Sequence, residues 1–229
     1  MGPEWGGATT TRATLLGYTA DVTEIADALG VERFGLLGLS GGGTTALSCA
    51  SALAHRVTTL GLVCSWAPVG VESDLAARLA PLDRAYMQLS RLGPVPFVPA
   101  FAVVGLAARY LSAETFTRKL LSRSLSKADR RLLSDPDLRR VLSEDTRESF
   151  RTGFRGPARN AYLRYRPWGF DVATVECPAV VHHGTDDSFA PYLFGEYLGD
   201  ELPDATLYPY PWGHLQFFTE QETVLASLR

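Results

Sequence analysis

The stretch Gly38-Leu39-Ser40-Gly41-Gly42 constrains this chain more than any other. It follows the apolar run Phe34-Gly35-Leu36-Leu37 and precedes small residues from Gly43 onward. G-x-S-x-G between a strand and a helix reads as a sharp, strained turn with the serine at its apex. Ser40 is expected at positive φ. Small residues two positions away on either side avoid collision, which gives Gly38 and Gly42 a steric role. The turn lifts the Ser40 hydroxyl above the sheet edge. It also points the Gly41 N–H, at a helix N-terminus, toward the place where an oxyanion would form. Two other glycine-rich loops are excluded. A phosphate loop needs lysine after its last glycine, but Thr44 follows Gly43. A dinucleotide G-x-G-x-x-G does not align, because Ser40 and Ala46 fall where glycines are needed.

Periodicity organises the rest. Residues 1–17 read as loop, and Tyr18, Val22, Ile25 and Leu29 recur at helical spacing before a stop at Gly30. Strands are expected over 33–38 and 58–65, with a helix of small residues over 42–53 between them. The near-continuous apolar runs fit a buried parallel sheet. From about 71 to 165 the pattern is helical only. Helices are expected over 81–92, 113–125, 127–133, 136–152 and 158–165, with Ser112, Ser126 and Asp135 as N-caps and Pro136 in a first turn. Strands return at 179–183 and 205–208, and a last helix spans 219–228. Alternating strands and helices on both sides of a helical insertion indicate an α/β sheet with an all-helical cap. The expected division is a core of residues 1–70 and 166–229 and a cap of residues 71–165.

The 229 residues are 46% hydrophobic and 21% charged, enough for one large domain with an insertion. Cys49, Cys64 and Cys177 fit no metal spacing or disulfide framework, so they read as reduced, buried thiols of a cytoplasmic protein. No signal peptide is visible in the polar, glycine-rich residues 1–17. The most apolar window, 92–108, is interrupted by Pro94, Pro96 and Pro99, so it reads as buried cap structure rather than a membrane span. Residues 73–170 carry 18 Lys+Arg and 9 Asp+Glu, a net of +9; the remainder carries 4 and 16, a net of −12, giving −3 overall. A basic middle on an acidic body suggests a separate layer that docks with electrostatic help.

A serine hydroxyl needs a base within hydrogen-bond reach, and the base needs an acceptor to fix its tautomer. The histidines are His55, His182, His183 and His214. His55 ends a helix, and His182 and His183 lie in a strand. His214 follows the last strand on a loop, with Gly213 giving it room. Acid candidates are Asp186 and Asp187, on the loop after the 179–183 strand. In a parallel sheet, loops at the carboxyl ends of strands gather on one edge. Ser40, the aspartate pair and His214 each follow a strand and so reach that edge, in the order Ser, Asp, His.

These features together resemble the α/β-hydrolase family, over essentially the whole chain. Gly38-Leu39-Ser40-Gly41-Gly42 is similar to its nucleophile elbow, His183-Gly184-Thr185-Asp186-Asp187 to its H-G-x-x-D acid loop, and Gly213-His214 to its terminal G-H. Arg166-Pro167-Trp168-Gly169-Phe170-Asp171 looks like the return from the cap in some bacterial members. The resemblance places the acid at Asp187, with Asp186 as a neighbour. It implies Ser40 as nucleophile, His214 as base and Gly41 as oxyanion donor, with no cofactor and no metal.

One departure stands out. Family members carry several strands before the elbow strand, and an H-G-x-P-G-like loop among them gives a second oxyanion N–H. Only 33 residues precede Phe34 here, and Met1-Gly2-Pro3-Glu4-Trp5-Gly6-Gly7 resembles the segment after the fourth strand. The expected fold is therefore an α/β-hydrolase-like, mostly parallel sheet, N-terminally truncated, with an all-helical cap insertion. Residues 34–38 would form an exposed apolar edge that favours self-association. The expected function is hydrolysis of a carboxylic ester, thioester or lactone. The alternatives are a non-catalytic remnant or binding protein without the full oxyanion hole, and an acyltransferase. The expected partner is a small-molecule acyl substrate, with no nucleic acid and no membrane span. Phe97, Phe101, Val103, Val104 and Leu106 suggest an apolar acyl pocket, although helix packing explains them equally well.

Overall fold

A computed structural model of the chain describes residues 14–119 and 125–228. The expectations for residues 1–7 and for the helix beyond Lys119 therefore fall wholly or partly outside the described residues. Four strands form one parallel sheet in chain order: β1 (Phe34–Leu39), β2 (Val57–Val63), β3 (Ala179–Gly184) and β4 (Ala205–Tyr210). Among the described residues β1 pairs with β2 alone, and it exposes Leu37 at 37%. Within the described residues β1 therefore lies at the edge of the sheet.

Helix α1 (Thr19–Ala28) precedes β1, and α2 (Gly41–Ala52) links β1 to β2. The small residues of α2 let it lie close on the sheet, with Gly43, Ala46, Leu47, Cys49 and Ala50 all buried. Between β2 and β3 come α3 (Ser73–Ala77), α4 (Pro81–Leu89), α5 (Val98–Tyr110), α6 (Ala113–Lys119), α7 (Lys127–Leu132), α8 (Pro136–Ser149) and α9 (Arg155–Arg164). Ser126 caps α7 in a reciprocal capping box with Asp129, and Asp135 caps α8 by accepting the Asp137 N–H. Helix α10 (Leu193–Glu201) joins β3 to β4, and α11 (Gln221–Ala226) follows β4.

The inserted helices share the apolar cluster of the sheet. Phe97, Ala158, Ala161 and Leu163 pack in one core with Leu60, Leu62, Trp66 and Val181. Trp66, just after β2, meets Tyr165 edge-on at 5.5 Å and Phe194 of α10 at 5.3 Å, while Tyr86 of α4 stacks on Phe97 at 5.3 Å. These aromatic contacts fasten the insertion to the carboxyl ends of the strands. Among the described residues no helix is long and apolar enough to cross a membrane. Cys49, Cys64 and Cys177 are free and buried.

One expectation is corrected, and one helix was not read from the sequence. The window 92–108 is not buried throughout: Phe97 is buried and Val98 and Phe101 rest against the core, but Leu92 (74%) and Val95 (75%), before α5, and Val103 (60%), within it, are exposed. A Cβ on Gly105 would stand 2.7 Å from the Phe150 ring, so bulk on that face has no room. Helix α10 was not expected at all. It carries Gly195 and Gly199, which are poor helix formers, yet a Cβ on Gly195 would stand 2.6 Å from the side chain of His183.

His182 and His183 are both buried in β3, and burial lowers both below the ordinary histidine value. His182 hydrogen-bonds Ser227 at 2.8 Å and stacks on Tyr208, while His183 Nε2–H donates to the Ala190 carbonyl at 2.9 Å. A histidine with a lowered folded pKa binds its proton more readily when unfolded. Its contribution to stability is therefore full above about pH 6.5 and is lost as pH falls toward the folded value. Unfolding free energy should decline between pH 7 and pH 5, and His182→Gln should flatten part of that decline in denaturant titrations. A pH-independent stability over that range would contradict the buried, neutral state of both rings.

Candidate active site

The turn after β1 has the strained geometry that its glycines suggest. Ser40 sits at φ 54 and ψ −124, between the end of β1 and the first residue of α2. One other non-glycine residue has positive φ among the described residues, Cys64 at φ 46, at the end of the neighbouring strand β2. Both strained residues stand on the carboxyl edge of the sheet, where such strain commonly accompanies function.

Sterics fix the turn, but not through the pair of glycines expected. A Cβ on Gly38 would lie 2.6 Å from Gly43 Cα, so strand and helix touch there. Gly42 has nothing within 4 Å of its would-be Cβ, and the steric role assigned to it does not hold. The crowded position is Gly43, where a Cβ would lie 2.0 Å from Ser65 Oγ. As the first residue of α2, Gly41 has an N–H with no acceptor inside the helix.

The structure brings Ser40, His214 and Asp187 together. Asp187 Oδ2 lies 2.8 Å from His214 Nδ1, and His214 Nε2 lies 2.9 Å from Ser40 Oγ. A carboxylate only accepts, so Nδ1 carries the hydrogen, and Nε2 is left to accept the Ser40 hydroxyl. Asp187 Oδ1 accepts the Phe189 and Ala190 N–H groups, each at 2.8 Å. Burial works to raise the Asp187 pKa. The His214 hydrogen bond and charge, with the Ala190 N–H, outweigh it and hold the carboxyl below its usual value. Asp186 is exposed and points its N–H at the Trp212 carbonyl. His55 is exposed, and His182 and His183 are engaged elsewhere.

Two residues went unread in the sequence as parts of this site. Cys64 lies behind the Asp187–His214 pair, and the three potential ligand atoms fall within 4.8 Å of one another. This set does not fit a metal. Burial and the neighbouring Asp187 push the thiol pKa up, so it stays protonated, and the other two groups bond each other. The second is Asp129 of α7, whose carboxylate accepts the backbone N–H groups of His214 and Leu215.

A cavity of about 650 Å³ opens beside the site, lined by Leu15, Leu36, Gly41, Gly42, Phe101 and Arg164 among others. It begins at Gly41 rather than at Ser40 itself. Of the expected acyl-pocket residues, Phe101 lines it; Phe97 is buried in the core, and Val103 and Leu106 are exposed. The Arg164 guanidinium lies 4.5 Å over the Trp66 ring, near Gly41.

The chain matches the model of the alpha/beta hydrolase fold family over residues 3–221 and belongs to that family. It is 25% identical over 195 residues to a protein named putative carbamate hydrolase RutD from a Caulobacter species, covering 84% of this chain and 62% of that one. It is 33% identical over 55 residues to a pimeloyl-[acyl-carrier protein] methyl ester esterase of Chromobacterium violaceum, covering 24% of this chain and 22% of the esterase. The chain thus spans less than two thirds of the length of these curated relatives. Among solved structures, an alpha/beta hydrolase enzyme from a Medee basin deep-sea metagenome library aligns with TM-score 0.65 at 16% identity, over 96% of this chain and 72% of that one. An esterase of Exiguobacterium antarcticum aligns with TM-score 0.63 at 19% identity, over 96% and 74%. These two likenesses speak for the fold.

The corrected glycine roles are directly testable. Gly43→Ala should destabilise the protein by about 1–3 kcal/mol through overpacking against Ser65. Gly42→Ala should be neutral or stabilising by up to about 1 kcal/mol, since alanine favours the helix. Denaturant unfolding of the two variants checks this, and equal losses would contradict the assignment.

Proposed function

We propose that this protein is a serine hydrolase that cleaves a carboxylic ester, thioester or lactone. The observation that carries the reading is the hydrogen-bonded chain Ser40 Oγ to His214 Nε2 and His214 Nδ1 to Asp187, at 2.9 and 2.8 Å. Ser40 attacks the carbonyl carbon while His214 Nε2 takes its proton. Asp187 holds the imidazole in the right tautomer and stabilises the imidazolium. The Gly41 N–H faces the developing oxyanion, and the nearby Arg164 guanidinium adds positive potential on that side. His214 then protonates the leaving alcohol or thiol as the carbon–oxygen or carbon–sulfur bond breaks. Water attacks the acyl-Ser40 ester, with His214 again as base, and releases the acid. Every proton is carried by His214, so the scheme requires no cofactor. The ester and carbamate named for the curated relatives are both acyl compounds, which is consistent with this class of substrate.

Turnover of short-chain p-nitrophenyl esters tests the reading. Ser40→Ala should lower kcat by on the order of 10⁶-fold, and Asp187→Asn should lower it by about 10³–10⁴-fold through the wrong imidazole tautomer. Undiminished turnover in Ser40→Ala would remove the serine mechanism. A folded protein with no turnover and no labelling by a fluorophosphonate would favour a binding role instead.

A further inference from the structure

His214 stands on a loop, so its position depends on what holds that loop. Among the described residues, one side chain of the helical insertion hydrogen-bonds the loop's backbone at residues 214 and 215. Asp129 of α7 is fully buried, at 0% exposure, and its carboxylate takes four donors. Oδ2 accepts the His214 N–H at 3.0 Å, the Ser126 N–H at 3.2 Å and the Ser126 hydroxyl at 2.9 Å. Oδ1 accepts the Leu215 N–H at 2.7 Å. A buried N–H without a partner costs as much as a lost hydrogen bond, and two successive ones at 214 and 215 would leave the loop free to move away.

Two neighbouring features are built around this contact. A Cβ on Gly213 would stand 2.3 Å from the Asp129 carboxyl group, so the residue before His214 has to be glycine for the carboxylate to reach the loop. The Leu215 side chain packs with Leu125 and Leu133 in a small apolar cluster around the end of α7. Ser126 anchors the carboxylate from the other side, through the same capping box that starts α7. The capping residue of an inserted helix thus doubles as the clamp on the loop.

We propose that Asp129 is a positioning residue for His214: it fixes the loop so that the imidazole keeps its distances to Ser40 and Asp187, and it makes the helical insertion part of the catalytic unit. The proposal rests on the serine-hydrolase reading of that triad. A displacement of about 1 Å at a reacting group costs on the order of 10²-fold in rate. Losing the clamp should therefore lower kcat far more than it changes KM, because Asp129 touches the loop and not the substrate.

The experiment compares Asp129→Ala, Asp129→Asn and Phe116→Leu, a conservative change at a fully buried side chain of α6 in the same insertion. Each is assayed at a temperature where it is folded, for kcat and KM on p-nitrophenyl butyrate and for the low-field proton resonance of the His214 Nδ1–H to Asp187 bond. Asp129→Ala should lose about 30–100-fold in kcat with KM within about threefold, and its low-field resonance should broaden or vanish. Asp129→Asn should fall between, since the carboxamide keeps one acceptor and turns a donor toward the other N–H groups. Phe116→Leu should lower the melting temperature yet keep kcat within about threefold and keep the resonance. If Asp129→Ala does not accumulate as folded protein, Asp129→Asn carries the comparison. Wild-type kcat and an intact resonance in folded Asp129 variants would overturn the proposal, as would an equal loss of kcat in Phe116→Leu. If the wild type turns over no ester, the hydrolase reading fails, while the resonance still decides whether Asp129 sets the His214 position.

Discussion

The contact between Gly38 and Gly43 is the constraint on which the rest of the site depends. Strand β1 and helix α2 approach so closely that a Cβ on Gly38 would stand 2.6 Å from Gly43 Cα, while a Cβ on Gly43 would stand 2.0 Å from Ser65 Oγ, on the loop after β2. The chain reverses in that space with Ser40 at φ 54. That strained conformation fixes where the hydroxyl points, and it leaves the Gly41 N–H as the first donor of α2. The strain is tolerated because helix α2 packs in one core with the sheet and the inserted helices, and Phe34 and Leu36 of β1 rest against it.

From this turn the site is assembled by strand ends. β1 delivers Ser40, β3 delivers Asp187 and β4 leads to His214, so parallel pairing brings together residues far apart in the chain. Burial of Asp187 would by itself favour the neutral acid, yet its bonds to His214, Phe189 and Ala190 keep it a carboxylate. The helical insertion contributes twice more, through Arg164 beside Gly41 and through Asp129 beneath the His214 loop.

What was legible in the sequence follows from how local each signal is. Ser40, Asp187 and His214 sit in short motifs directly after apolar runs, so strand-end topology was enough to group them. The capping residues Ser126 and Asp135 were legible for the same reason, since a cap acts within three residues. The Gly42 assignment failed because symmetric spacing about Ser40 says nothing about which side the β2 loop approaches from; Ser65 approaches Gly43. Helix α10 was hidden by Gly195 and Gly199, whose absence of side chains serves packing on β3 and β4 rather than helix propensity. Neither Asp129 nor Cys64 carries a local signal of a part in the site. Asp129 reads as an ordinary capping acid, and its reach to residues 214 and 215 exists only once α7 has docked.

The central claim is that Ser40 becomes covalently acylated and is then released by His214-assisted hydrolysis. Rapid quenching of the protein with a p-nitrophenyl ester, followed by intact-mass and peptide mass measurement, tests it most directly. The account predicts a single acyl adduct on the peptide carrying Ser40, absent in Ser40→Ala. Hydrolysis that proceeds with the adduct on another residue, or with none on Ser40 under conditions that trap a slow-turnover ester, would contradict it.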